Sequence, residues 1–462
     1  MGSFRKALTD VTLFPYWLDN PLDPAPLDHL VGRADAELLI VGGGFTGLWT
    51  SILAKQADPN RDVVIIEAGK VGHGASGRPG GIVSTSVMHG LSNAKRIFPT
   101  DLTALEKLGK INLDGWAKTI ADNGIDADVE WSGEMTVAVA SSHLEGLREE
   151  FELAQEYGHD AVLLGRDDTR KQLNSPTFEG AVWARDRSGT VHPAKLAWGL
   201  KRLARQLGVR IYEHTRMIKV EDVGSALEIV TAEGRIKAPK VLFATNAWSA
   251  GHKNIRRRVI TSRDRVLATE PLTNEQMSRI GWENRQGVYD TRTQLNYMRL
   301  TKDNRIVYGG HVDYHFNNNV DPPQALQIEN YERLAGYFFK TFPQLGDIKF
   351  THAWSGPIDL TMRLAVHFQR YYGGKGLYVG GYTGFGVTAS RFGAAMGLDL
   401  IDGKDNPSLE LDFARTMPNW VPPEPARWIG AKLTMYALND VDEKGGWRKA
   451  WIGLCQRLGF PI

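Results

Sequence analysis

Three glycine-rich segments carry the chemistry that this chain shows most directly. The first is Gly42-x-Gly44-x-x-Gly47, with Phe45 and Thr46 inside it. It follows the apolar run Glu37–Val41, opens a helical pattern (Leu48, Ile52, Ala54, Lys55) and leads to a second apolar run, Asp62–Glu67. A bare GxGxxG is weak in a chain with 49 glycines, but the strand–helix–strand context and an acid, Glu67, 20 residues after Gly47 make it specific. One glycine permits the tight turn, one lets the backbone approach a pyrophosphate, and one brings helix against strand, while helix N-terminal amides meet the phosphate charge. Glu67 is placed to accept both ribose hydroxyls, which disfavours a 2′-phosphate.

The second segment, Gly74-Ala75-Ser76-Gly77-Arg78-Pro79-Gly80-Gly81, begins seven residues past Glu67, where a plain NAD-binding unit would move on to another helix. Small residues here let the backbone and the Ser76 hydroxyl pass against a pyrophosphate and a flat ring system, with Arg78 available for charge. The third, Gly380-Gly381-Tyr382-Thr383-Gly384-Phe385-Gly386-Val387-Thr388, precedes a last helix. A helix N-terminus aimed at the pyrimidine edge of a flavin would stabilise negative charge on the reduced ring. Taken singly, each segment also reads as an ordinary turn or loop.

The elements that must position these segments can be read coarsely. Residues 1–33 carry Pro15, Pro21, Pro24 and Pro26 among aromatic and acidic residues, which suits an extended arm. From residue 100 the pattern changes to charged helical segments (Leu102–Asn123, Ser142–Tyr157) with β-like stretches such as Met135–Val139. Pro193 opens an amphipathic helix with Leu196, Leu200, Leu203 and Leu207, stopped by Gly208 and followed by the strand Val209–Glu213. A hairpin (Ala226–Thr231, Arg235–Ala238) leads to the buried strand Lys240–Trp248. Residues 255–350 alternate β runs with one helix near Ala325–Phe339, and Leu377–Gly381 is a last buried strand before a helix over Val387–Ile401.

Composition narrows the function classes. The chain has 462 residues, 42% hydrophobic and 23% charged, with 55 Lys+Arg, 53 Asp+Glu and a net charge of +2, which gives no general electrostatic case for nucleic acid or anionic membrane. The single thiol, Cys455, excludes an internal disulfide, a CxxC pair, a cysteine-ligated zinc and a protein-held iron–sulfur cluster, so redox chemistry falls to an organic cofactor and no metal site is expected. No apolar run is long enough to span a bilayer, and neither end carries a signal or anchor pattern, so a cytoplasmic location without membrane anchor is expected. HExxH and GxSxG are absent.

Together the three segments resemble the D-amino-acid-oxidase-like (DAO) family of FAD-dependent amine oxidoreductases. The resemblance runs along nearly the whole chain: the fingerprint at Val41–Glu67, the GASGRPGG loop, the Val191-His192-Pro193 helix entry, the Ala244–Trp248 strand end and the Gly380–Gly386 turn. The Pro15–Leu18 arm and the segment Asn296–Arg299 to Tyr308–Gly310 look most like the gamma-glutamylputrescine oxidase and aminophosphonate oxidoreductase branches. Tyr382 stands where many members carry His and Asn246 where many carry Gly, and Thr361–Ala365 lacks a common Asp and Pro.

The resemblance implies an α/β fold: a Rossmann-like FAD-binding domain (34–99, 189–250 and 351–410) interleaved with an antiparallel-sheet, α+β substrate domain (100–188 and 251–350), plus an arm (1–33) and a C-terminal extension (411–462). It implies FAD, expected without a covalent link although His73 and His89 flank the loop, held by the three segments with Met217, Thr245 and Asn246. Tyr297, Arg299, Trp354 and Tyr382 are expected to border the cavity over the flavin, with Arg299 holding a substrate carboxylate or phosphonate. The implied reaction is hydride transfer from a carbon beside a neutral amine nitrogen to flavin N5, giving an imine that hydrolyses, with oxygen or another acceptor reoxidising the flavin. The substrate is expected to be a small primary or secondary amine bearing an anionic group. A polyamine oxidase is one alternative. A flavin enzyme acting on an aminomethyl group of tRNA is another, with the basic cluster Arg256-Arg257-Arg258, Arg263 and Arg265 as its discriminator, although no nucleic-acid partner is expected.

Overall fold

The computed structural model describes residues 2–252 and 255–460. Its first layer is a six-stranded sheet in the order His367–Tyr371, Gly376–Gly380, Lys240–Phe243, Leu38–Val41, Val63–Ile66, Arg210–Tyr212, parallel except for the His367–Tyr371 edge. Strands such as Leu38–Val41 and Val63–Ile66 are apolar at every position because both faces are covered. Leu38, Ile40, Val63, Ile65 and Leu242 face the helices Phe45–Ala57, Pro193–Gln206 and Gly386–Asp402, whereas Leu39, Val41, Val64, Ile66 and Val241 face a small four-stranded sheet that contains the 227–238 hairpin. Each such side chain contributes about 1.5–3 kcal/mol by leaving water.

The second layer is an eight-stranded sheet in the order Phe350–Thr361, Val259–Thr269, Ile306–Tyr314, Asn296–Leu300, Gly287–Asp290, Glu134–Ala138, Gly180–Ala184, Ala161–Gly165. All its neighbours are antiparallel except Gly287–Asp290 against Glu134–Ala138. The helix Glu332–Thr341 packs behind it in a second apolar core.

Several boundaries differ from the sequence reading. Residues 351–361, expected with the first sheet, lie on the strand Phe350–Thr361, which pairs along its length with Val259–Thr269 and belongs to the second. The helix Leu102–Asp122, expected in the substrate unit, buries Leu105, Leu113 and Trp116 in the first core, since its apolar stripe fits the helical layer there. The arm holds a short helix, Gly2–Ala7, and ends in the strand Gly32–Asp35, which pairs parallel with Gly234–Ala238. The helix expected near Ala325 begins at Glu332, after two 3-10 turns, the first of which Pro323 initiates. The C-terminal region is helical (Ala426–Leu438, Val441–Lys444, Trp447–Arg457), with buried Cys455 on its last helix. No helix among the described residues is long and apolar enough to cross a membrane.

A buried ion pair ties arm to core. Lys201 Nζ lies 2.8 Å from Glu213 Oε1, and Glu213 also accepts the amides of Val71, at 2.7 Å, and of Leu27 in the arm. Further along the arm, Trp17 Nε1 donates to the Pro79 carbonyl at 2.9 Å, bracing the GASGRPGG loop from behind.

Candidate active site

A cavity of about 800 Å³ lies between the two sheets, and residues of all three glycine segments line it. Its first wall is the turn after Leu38–Val41. Gly42 adopts φ +113°, and a Cβ there would sit 2.5 Å from the Ala244 carbonyl oxygen, so only glycine fits. The first intrahelical bond of the following helix runs from Leu48 N to Gly44 O, so the amides of Phe45, Thr46 and Gly47 precede it; that of Phe45 donates to Ser76 Oγ at 2.9 Å. Gly47 packs behind the wall against Gly42 rather than lining it, the close helix–strand approach expected of the last fingerprint glycine.

Glu67 lines the cavity, accepting Gly43 N at 2.7 Å and Gly69 N at 2.8 Å, one on each carboxylate oxygen. Desolvation pushes its carboxyl above the usual range. Ala75, Ser76, Arg78, Gly80 and Gly81 line the next stretch, while Gly77 is buried against Leu18 and Gly72. Arg78 directs Nε to the His73 carbonyl and one terminal nitrogen to the Ser355 carbonyl. Met217, Thr245 and Asn246 also line the cavity. Asn246 has φ +43°, in the left-handed region that asparagine, next to glycine, tolerates best. Gly384, Phe385, Gly386 and Val387 complete this side, whereas Thr388 turns away to donate to the Ser84 carbonyl.

The remaining wall comes from the second sheet, joined by Tyr382 from the turn after Gly376–Gly380 and by His89. Tyr297 presses its ring on Gly80, where a Cβ would come within 2.6 Å of it, and donates its hydroxyl to Asp264 at 2.6 Å. Tyr382 lines the cavity and accepts from Thr46 Oγ1 at 2.9 Å. Tyr289 and His89 flank Phe385, with ring centroids 6.1 Å and 4.0 Å away, and desolvation lowers His89 to about 4, so its imidazole is neutral.

Two expected cavity residues lie elsewhere. Arg299, on the same strand face as Tyr297 but one pleat further, is 1% exposed; it donates to the carbonyls of Leu300 and Val191 and lies 5.4 Å from the Trp17 ring. It braces the back of the Gly81 turn and does not line the cavity. Trp354 is 2% exposed in the cluster around Trp17 and donates Nε1 to the Arg78 carbonyl at 2.9 Å, acting on the loop from outside. The arginine cluster also disperses: Arg257 and Arg258 stack on Trp420, Arg263 is buried against Ser355, and Arg265 pairs with Asp313.

Sequence reasoning missed Ser262, Asp264, Tyr289, Gln294, His311, Asp359, Met435 and Leu438, all of which line the cavity. Period-two alternation along Val259–Thr269 was the available signal for Ser262 and Asp264, since it sends them to the face opposite Arg263 and Arg265. Nothing local marks Met435 and Leu438, which arrive from the C-terminal helix.

The residues fit a bound dinucleotide. The Gly44 wall leaves no room for a side chain beside Ser76 Oγ, where a Cβ would be 2.9 Å away, and helix-start amides and an acid flank it. The cavity volume is also in the range of cofactor sites.

The family model described as FAD dependent oxidoreductase (DAO) matches residues 37–398. The chain is 31% identical over 388 residues to the gamma-glutamylputrescine oxidoreductase of Escherichia coli (strain K12), covering 82% of this chain and 86% of that protein. It is 28% identical over 447 residues to the probable oxidoreductase OrdL of Rhizobium meliloti (strain 1021), covering 92% and 97%. Among solved structures, glycine oxidase from Geobacillus kaustophilus superposes with a TM-score of 0.69 at 18% identity, covering 83% of this chain and 99% of that one, a likeness of fold.

Proposed function

The chain belongs to the DAO family of FAD-dependent oxidoreductases, and from that premise we propose that it oxidises a small primary or secondary amine bearing an anionic group, to an imine that hydrolyses to an aldehyde or oxo acid. The observation that carries this reading is one continuous cavity running from the dinucleotide fingerprint to a wall of Tyr289, Tyr297, Tyr382 and Phe385. When bound, FAD supplies a two-electron acceptor. The helix-start amides after Gly44 would hold its pyrophosphate, Glu67 its ribose, and the Gly384–Val387 turn its ring edge. The aromatic wall desolvates the amine, which favours the neutral nitrogen that can release hydride.

With Arg299 behind the loop, the anionic end of the substrate falls to Arg78, which lines the cavity beside Gly80; the other lining arginine, Arg216, follows Thr215, whose amide bonds the Glu67 carbonyl at the ribose end. The test is anaerobic bleaching of the flavin by paired amines, with and without a carboxylate or phosphonate. The anionic partner should reduce the flavin more readily, and Arg78→Lys, with FAD content unchanged, should weaken its binding about tenfold while sparing the uncharged amine. Equal reduction by both partners would replace this substrate with a simple amine or polyamine.

A further inference from the structure

Four carboxylates line the cavity among the described residues: Glu67, Asp264, Asp321 and Asp359. Three have evident tasks. Glu67 closes the fingerprint. Asp359 accepts Gly381 N and so fixes the turn before the last helix. Asp321, with its side chain 72% exposed, pairs with Arg263 at 3.2 Å. Asp264 is different: it is 9% exposed, against 1% for Asp359, and besides Gly356 N at 3.1 Å it accepts a side-chain hydroxyl, Tyr297 Oη at 2.6 Å, from the aromatic wall.

We propose that Asp264 takes the proton from the substrate's ammonium nitrogen, with Tyr297 as the residue that positions its carboxylate. The proposal rests on the amine-oxidation reading and deepens it. An alkylamine reaches the cavity as R–CH2–NH3+, because its nitrogen titrates near 10. That form has no lone pair and cannot release hydride from the adjacent carbon. At Asp264 the N–H bond breaks, an O–H bond forms on the carboxylate, and the bonding pair stays on nitrogen. The step conserves charge: R–CH2–NH3+ and a carboxylate become R–CH2–NH2 and a carboxylic acid. In a desolvated site the neutral pair is favoured over the ion pair, which aqueous pKa values alone would not allow.

The surroundings suit this role. Tyr297 lies on Gly80, so the carboxylate it holds stands beside the loop expected to meet the flavin ring. The charged and titratable groups around Asp264 are Arg263 on its own strand, Arg78 from the loop, Tyr297 from the same sheet two strands away and Tyr331 from the turn before helix Glu332–Thr341. Both arginines direct their hydrogen bonds elsewhere: Arg78 to the His73 and Ser355 carbonyls, Arg263 to Ser355, Val320 and Asp321. They hold the site near neutrality without pairing with Asp264. Burial raises its carboxyl above the usual aspartate range, and the Tyr297 hydroxyl opposes that rise.

The experiment uses the FAD-loaded enzyme and tert-butylamine, which carries an ammonium group but no hydrogen on the adjacent carbon and so binds without reducing flavin. Its dissociation constant is read from the change in flavin absorbance between pH 7 and 10. The wild type, which accepts the ammonium form, should bind at pH 7 with a shallow pH dependence. Asp264→Asn can take only the free base, so its dissociation constant should fall about tenfold for each unit of rising pH below the amine's own pKa. Asp264→Glu should restore much of the wild-type profile. Tyr297→Phe removes a donor to the charged form, which raises the Asp264 pKa and moves the acid limb of binding to higher pH. FAD content and melting temperature of each variant report folding. An Asp264→Asn profile that overlies the wild type, or a wild type that does not bind tert-butylamine at pH 7, overturns the proposal. Flavin that no oxidisable amine reduces, while tert-butylamine binding still depends on Asp264, would instead count against the proposed reaction.

Discussion

Glu67 accepts one backbone amide on each carboxylate oxygen and keeps further lone pairs toward the cavity. Charge-assisted bonds from ribose hydroxyls to such a group contribute about 1.5–3 kcal/mol each. Glu67→Ala should therefore weaken FAD binding at least tenfold, measured by fluorescence titration of the apoprotein, while the apoprotein's melting temperature changes little; an unaltered dissociation constant would reduce the fingerprint to a turn. At this scale the sequence was informative where residue type and backbone need coincide. Glycine at Gly42 and an acid at Glu67 could be placed by their spacing within a strand–helix–strand pattern. Arg299 could not, because a strand's alternation tells which face a side chain occupies but not how far along the strand the cavity extends. One pleat separates Tyr297 from Arg299, about 7 Å of strand, and that step carries Arg299 past Gly80 to the carbonyl of Val191.

Strand–turn–helix elements were legible because each holds its own signal: an apolar run, a glycine turn, a helical stripe. The C-terminal helix Ala426–Leu438 was not, because its importance depends on contacts made far away in sequence. It brings Met435 and Leu438 to the cavity and is fastened there by Lys432 to Asp313, by Gln294 Nε2 to Met435 Sδ and, just beyond it, by Thr293 to Asp442. It lies outside the stretch that matches the family. Under the proposed reaction, such a cap would set how long or bulky an amine the cavity accepts. Met435→Ala should shift the kcat/KM ratio toward bulkier amines by about tenfold or more, the discrimination a single methylene gives in an apolar site, and leave FAD affinity unchanged. Steady-state comparison of a short and a long amine decides it; a constant ratio would mean that the helix only shields the cavity.

For the whole molecule, the cavity depends on both sheets at once, so a bound flavin stabilises the folded chain by mass action and its release should lower the melting temperature. FAD is expected to be held by contacts alone: His73 lies 3.4 Å from Asp23 and His89 packs on Phe385, so both histidines have structural partners. Acid precipitation should leave the yellow colour in the supernatant, and colour in the pellet would reveal a covalent link. The strand order of the first sheet has a further consequence, for synthesis on the ribosome. Strand Leu38–Val41 waits for Lys240–Phe243 to cover its second edge, and the Gly384–Val387 wall of the cavity emerges ~340 residues after the fingerprint, roughly 20–70 s later at ordinary translation rates. Until Lys240–Phe243 emerges an apolar strand edge stands open, and until Gly384–Val387 emerges the cofactor cavity lacks one wall. Capture of FAD is therefore expected of the finished chain, so flavin should offer the growing one no protection.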